Sequence, residues 1–131
     1  SILFQANSPD LHFESAKKIL LRNLPTDRLA GGNFSARLRL SLLFHYAGTE
    51  NLLVLGTSDK SEIMIGYFTK YGDGAADILP IGELYKTQVK MLGNDLGLSG
   101  KITNEPSSPR FWKGHVAEKE LGLTYDEIDE I

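Results

Sequence analysis

The sequence predicts an α/β domain whose helices flank a parallel sheet, and two observations carry that expectation. The first is the run Leu52–Leu55, four apolar residues closed by Gly56, which reads as a strand buried on both faces. The second is the segment directly after it. Thr57, Ser58 and Asp59 supply helix-start chemistry, so the strand runs straight into a helix N-terminus. That junction leaves N–H groups and hydroxyls unpaired at the carboxyl end of a sheet. Open α/β folds bind ligands there, and anions are favoured.

Composition sets the outer bounds. The 131 residues are enough for one domain, and a hydrophobic share of 41% supports a packed core. A formal net charge of −3 argues against an extended nucleic-acid surface but leaves room for local cations around phosphates. The absence of cysteine excludes disulfides and thiolate metal sites and suits the cytosol, so a cytoplasmic protein is expected. No apolar run approaches the roughly 20 residues that span a bilayer, and no signal peptide is visible. Neither a membrane nor a nucleic-acid partner is expected. Ser1 leads at once into apolar Ile2–Phe4, and Ile131 comes soon after a helix start at Thr124, so a piece of a longer domain is expected.

Taken in order, Ile2–Gln5 reads as a short strand and Asn7-Ser8-Pro9-Asp10 as a turn or helix start. Phe13, Ala16, Ile19 and Leu20 then repeat at helical spacing, and Pro25 ends that helix. Asp27–Ala30 leaves space for one turn before Gly31-Gly32, and Asn33 is a good N-cap for a helix over Phe34–Ala47. That helix is apolar on most faces, which predicts burial or a subunit interface, hence a homodimer. Arg37 and Arg39 interrupt it and point in different directions; each is either an ion-pair member or a contact for an anionic ligand. Another helix is expected from Asp59 to Gly66. Gly72-Asp73-Gly74 is a loop whose glycines allow positive φ and close backbone approach. Pro80 precedes a helix over Gly82–Leu96, with Gly97 as its cap. Asn104–Pro109 is a loop, Phe111-Trp112 anchors the segment before Gly114, and the last helix opens at Thr124, where Thr124 and Glu127 stand as a capping box.

Several polar residues admit two readings. Glu62, three after Asp59, is the second half of a capping box or a magnesium ligand. Thr57 is a cap or a phosphate donor. Lys70, Asp73 and Asp77 surround the glycine loop as a solvated turn or as a clamp on a nucleotide. Lys86 on its helix is by default a surface lysine, and Ser107 and Ser108 are by default loop residues. His12, His45 and His115 lack metal-ligand spacing and read as structural or exposed. There is no GxSxG, no Walker A and no convincing GxGxxG. The residues alone therefore reach an α/β domain that binds a phosphate ligand.

The stretch GTSDKSEIMIGYFTKYGDGAADILPIGELYKTQV resembles the central signature of ammonia-dependent NAD synthetases of the archaeal type. The likeness runs back through GNFSARLRLSLLFHYA and on to EPSSPRFWKGHVAEKELGLTYDEID, so it is strongest over residues 24–131 of a partial NAD synthetase domain spanning 1–131. It implies an adenine nucleotide α-hydrolase-like fold with a Rossmann-like parallel sheet, incomplete in this chain. It implies ATP-dependent amidation of deamido-NAD with ammonia through an acyl-adenylate, releasing pyrophosphate and AMP, with Mg²⁺ as cofactor. By the same resemblance Thr57, Lys86 and Ser108 contact ATP, with Ser107 the alternative to Ser108 because it directly succeeds Pro106. Arg37, Lys70 and Asp77 contact deamido-NAD, and Glu62 binds Mg²⁺.

The chain also departs from the pattern. The family's SGGxDS phosphate loop and its basic C-terminal tail have no counterpart in these residues, and His115-Val116-Ala117 stands where a more polar stretch is usual. The 131 residues alone are accordingly expected to be inactive. The competing reading is a non-catalytic nucleotide-binding or dimerisation remnant of the same fold.

Overall fold

The computed structural model describes residues 10–25 and 27–131. The strand expected at Ile2–Gln5 and the turn at 7–9 lie outside them. Among the described residues there are seven helices: α1 (Asp10–Leu21), α2 (Arg28–Glu50), α3 (Lys60–Ile65), α4 (Lys86–Asp95), α5 (Gly100–Thr103), α6 (Ala117–Leu121) and α7 (Tyr125–Asp129). None is long and apolar enough to cross a membrane.

The parallel sheet is reduced to one contact among these residues. Leu55 makes an isolated parallel bridge with Ile78, and no strand forms around it. Only Val54 of the apolar run is buried; Leu52, Leu53 and Leu55 are 62%, 64% and 54% exposed. The physical reason is pairing. A two-sided buried strand needs a neighbour on each edge, and among the described residues the ladder bonds of residues 54–56 run to one side only. Gly56 N–H donates to Ile78 O at 2.8 Å, and Asp77 N–H donates to Val54 O at 3.0 Å. The Asp77 carboxylate then accepts the Val54 N–H at 2.8 Å. Gly56 is required at this crossing, because a Cβ there would stand 2.4 Å from the Leu79 side chain.

Helix α2 differs from its sequence reading. Its N-cap is Asp27, whose carboxylate accepts the Ala30 N–H at 2.6 Å, and the helix runs unbroken through Gly31, Gly32 and Asn33. Asn33 is no cap; its side-chain oxygen accepts the Thr69 hydroxyl at 2.6 Å. The Phe111 ring explains Gly32: a Cβ on that residue would lie 2.2 Å from ring carbons. Close packing, rather than a chain break, demands the glycine. Helix α1 packs on α2 through buried Phe13, over whose ring the Arg39 guanidinium sits at 4.6 Å. Ile19 and Leu20, on the expected apolar stripe of α1, are exposed.

The second half packs around α4, which contacts α3, α5 and α7. Helix α4 starts at Lys86, four residues after the expected Gly82, because Pro80–Leu84 is used as a turn that ties back to α3. Leu84 O accepts the Lys60 N–H at 2.8 Å. Gly97 takes φ +74° after the helix, as a C-terminal glycine should. The short helices α5 and α6 have no signal strong enough to read from sequence. Thr124 caps α7 with Glu127 as the spacing predicts.

Candidate functional site

The start of α3 is built by its own sequence. Asp59 Oδ1 accepts the Glu62 N–H at 3.0 Å, and Glu62 Oε2 accepts the Asp59 N–H at 3.3 Å, so the predicted capping box forms. Glu62 keeps its second oxygen for other work. The first residue of α4 brings Lys86 Nζ to 2.6 Å from Glu62 Oε1 and 2.5 Å from Asp59 Oδ2, and to 5.0 Å from the centre of the Tyr125 ring. Lys86 is held there by its backbone, whose N–H donates to Ser61 Oγ at 2.8 Å. It is therefore no free surface lysine.

Two acidic groups share one ammonium in this cluster. The Asp59 side chain is 1% exposed, that of Glu62 19% and that of Lys86 25%. Burial alone would lower Lys86, but its hydrogen bonds to Asp59 and Glu62 prevail and hold it above the ordinary lysine range. Burial pushes the Glu62 carboxyl up, and its share of Lys86 only partly offsets that. Lys86 gains two partners, whereas Glu62 shares its one cation with Asp59. Asp59 Oδ2 and Glu62 Oε1 thus converge on one point, filled here by the ammonium. A hard divalent cation uses one or two carboxylates together with substrate phosphates, and this donor pair fits one. No group of three or more His, Asp or Glu among the described residues is placed to hold a metal, so ligand oxygens would have to complete the coordination.

A cleft of about 610 Å³ opens between α2, residues 54–57 and the 108–111 loop, and both Thr57 and Ser108 line it. Ser108 Oγ donates to the His115 carbonyl and accepts the Arg110 N–H at 3.0 Å. Ser107 does not line the cleft; its carbonyl accepts the Ala117 N–H at 2.9 Å. Glu62, Lys86, Arg37, Lys70 and Asp77 are not among the cleft's lining residues.

Arg37 and Lys70 are brought together. Arg37, exposed on α2, donates through Nε to the Lys70 carbonyl at 3.0 Å, while the Lys70 ammonium lies 5.0 Å over the Tyr71 ring. Asp77 is engaged with the Val54 backbone, and Asp73 accepts the Thr69 N–H at 3.0 Å. In the glycine loop the positive φ falls on Tyr71, at 61°, and not on Gly72 or Gly74. Those two glycines provide space instead: a Cβ would stand 2.8 Å from the Thr69 side chain at Gly72 and 2.3 Å from the Phe68 ring at Gly74.

Sequence reasoning missed two clusters. Asp129 reaches from α7 to Ser61 and Thr87, at the starts of α3 and α4. Buried His115 stacks on Trp112 with ring centres 3.6 Å apart, and its Nε2 lies 2.8 Å from Glu120. Glu120 also accepts the Tyr67 hydroxyl at 2.6 Å. These two hydrogen bonds hold the Glu120 carboxyl below its ordinary range, that from Tyr67 counting most. The structural reading of His115 stands, and the only available signal for its partner was an acid five residues later.

The family model described as NAD synthase matches residues 5–131. The chain is 58% identical over 107 residues to an NH(3)-dependent NAD(+) synthetase of Staphylothermus marinus, covering 82% of this chain and 37% of that protein. It is 60% identical over 103 residues to the enzyme of that name from Hyperthermus butylicus, covering 79% and 37% respectively. Among solved structures it resembles an NMN synthetase from Francisella tularensis, with TM-score 0.84 and 42% identity over 88% of this chain and 50% of that one. It also resembles an NH3-dependent NAD synthetase from Campylobacter jejuni in complex with nitrate, with TM-score 0.67 and 39% identity over 71% and 41%. The chain spans less than two-fifths of the length of these curated relatives. The chain belongs to the NAD synthase family.

Proposed function

We propose that these residues form part of an ammonia-dependent NAD synthetase, which converts deamido-NAD to NAD at the expense of ATP. The observation that carries this reading is the meeting of Glu62 and Lys86. They come from two helices, 24 residues apart, and a shared contact with Asp59 orders both. A carboxylate is a poor electrophile, so amidation by ammonia requires a leaving group, and transfer of AMP from ATP supplies one. In this reading Lys86 offers its ammonium to the triphosphate, where charge builds as pyrophosphate departs. Thr57 and Ser108, on the walls of one cleft, hold ATP through hydroxyl contacts. Glu62, with Asp59 beside it, would hold Mg²⁺, which supplies charge neutralisation at the phosphates. Arg37, Lys70 and Asp77 hold deamido-NAD; the adjacency of the first two supports a shared anionic contact.

The parallel sheet belongs to the same proposal: the edge of Leu52–Leu55 that is unpaired among the described residues is completed by further strands of the domain. Exposed Phe44 and Tyr46 on α2 support a homodimer, and the protein works in the cytoplasm. The test is the full-length polypeptide with deamido-NAD, ATP, ammonia and Mg²⁺. Stoichiometric NAD and AMP are expected. ATP consumption without NAD, or no dependence on deamido-NAD, would overturn the reading.

A further inference from the structure

The stretch ELGLTYDEID closes on Asp129, one turn beyond the Thr124–Glu127 cap of α7 and turned towards the starts of α3 and α4. Asp129 Oδ1 accepts the Ser61 hydroxyl. Its Oδ2 accepts both the Thr87 N–H at 2.9 Å and the Thr87 hydroxyl at 2.8 Å. Ser61 Oγ in turn accepts the Lys86 N–H. Each partner is a sequence neighbour of a site residue: Ser61 precedes Glu62, and Thr87 comes directly after Lys86.

We propose that Asp129 is a positioning residue of the nucleotide site, locking the starts of α3 and α4 so that Glu62 and Lys86 keep their separation. The inference rests on the NAD synthetase reading above. Its physical basis is that one carboxylate spans two helix starts with three accepted hydrogen bonds, two from α4 and one from α3. Burial of Asp129 would raise its carboxyl, but the Ser61 and Thr87 bonds outweigh that and hold it below its ordinary range, so it is ionised while it acts. The distances it governs are short. Lys86 Nζ meets Asp59 and Glu62 at 2.5 and 2.6 Å, so a small shift of α4 against α3 breaks those contacts. Misplacement by about 1 Å is enough to cost on the order of a hundredfold in a catalytic geometry.

The experiment measures equilibrium binding of ATP with Mg²⁺, and separately of deamido-NAD, to the full-length polypeptide and its variants, with thermal midpoints alongside. Asp129→Asn keeps the size but replaces one acceptor with a donor. It should weaken ATP binding about tenfold or more and change deamido-NAD binding by less than about twofold. Thr87→Ala, which keeps the backbone bond, should fall between wild type and Asp129→Asn. Thr87→Ser should restore wild-type affinity. If Asp129→Asn does not fold, the Thr87 pair decides the matter alone. Equal weakening for both ligands, a lowered midpoint with unchanged ATP affinity, or failure of Thr87→Ser to restore binding would overturn the positioning role. A wild-type protein that binds no ATP would instead overturn the functional reading on which it rests.

Discussion

Replacing Lys86 with methionine removes the ammonium shared by Asp59 and Glu62 while keeping much of the side chain's bulk. Asp59, 1% exposed, has no route to bulk water, and Glu62 at 19% has little. Stripping one partner from a buried ion pair costs about 3–5 kcal/mol. Lys86 is itself 25% exposed, so entering water screens part of the loss, and about 2–3 kcal/mol is expected at neutral pH. Glu62→Gln is far milder, at about 1 kcal/mol, because glutamine still accepts the Asp59 N–H and Lys86 keeps Asp59. The double variant should cost less than the sum of the two, since removing Glu62's charge relieves part of what Lys86→Met exposes. The deficit also has a pH signature. Without the ammonium the buried Glu62 carboxyl, already raised by burial, takes up its proton more readily still in the folded state than in the unfolded chain. A raised folded value contributes stability at low pH that is lost as pH rises, so the deficit should shrink as pH falls through the carboxylate range. Urea unfolding of the full-length polypeptide, monitored by circular dichroism at neutral and acid pH, reads both quantities. A deficit under about 0.5 kcal/mol, the scale of an exposed pair, would refute the reasoning. So would a deficit that is the same at both pH values.

Arg37→Ala should raise the requirement for deamido-NAD more than that for ATP in steady-state assays, whereas Arg39→Ala, which loses its contact with Phe13 and lines the cleft with Thr57 and Ser108, should not raise the deamido-NAD requirement selectively; equal effects of the two on both substrates would remove the assignment. Gly32→Ala drives a methyl into the Phe111 ring and should lower stability by about 1–3 kcal/mol. Gly48→Ala, in the same helix with open space around it, should raise stability by roughly 0.5–1 kcal/mol, and thermal midpoints compare the two. Glu120 is held below the ordinary value of 4.5 by Tyr67 and His115, so its contribution is present above that pH and is lost as pH falls through its folded value. Acid titration of wild type against Glu120→Gln should show the variant losing less stability over that range.

What is legible in the sequence is what is local. The capping boxes at Asp59–Glu62 and Thr124–Glu127 need only a three-residue spacing, and both form as read. Pro25 and Gly97 punctuate helices for the same reason. What fails depends on distant partners. Gly31-Gly32-Asn33 looks like a break, yet Gly32 exists to admit Phe111, and nothing in the helix's own sequence announces that ring. The apolar run Leu52–Leu55 signals a buried strand, but burial depends on neighbours that the described residues do not supply. Glu62 and Lys86 are reachable from sequence only as two separate family roles, with the metal role of Glu62 an alternative to its cap. The structure gives Oε2 to the cap and Oε1 to the Lys86 ammonium. Asp129 is invisible because its partners lie 68 and 42 residues away.

That separation has a consequence for the order of folding. Closing a chain loop costs entropy that grows by about 0.6 kcal/mol for each doubling of its length. The Ser61–Asp129 contact closes 68 residues, against 24 for Glu62–Lys86, a difference of roughly 1 kcal/mol. Local caps of α3 and α7 can form early, whereas the Asp129 bonds to Ser61 and Thr87 span 68 and 42 residues. Contacts of this kind slow folding and mature late. Loop-closure entropy therefore favours an order in which Glu62 and Lys86 meet first and the Asp129 lock on both helix starts closes afterwards.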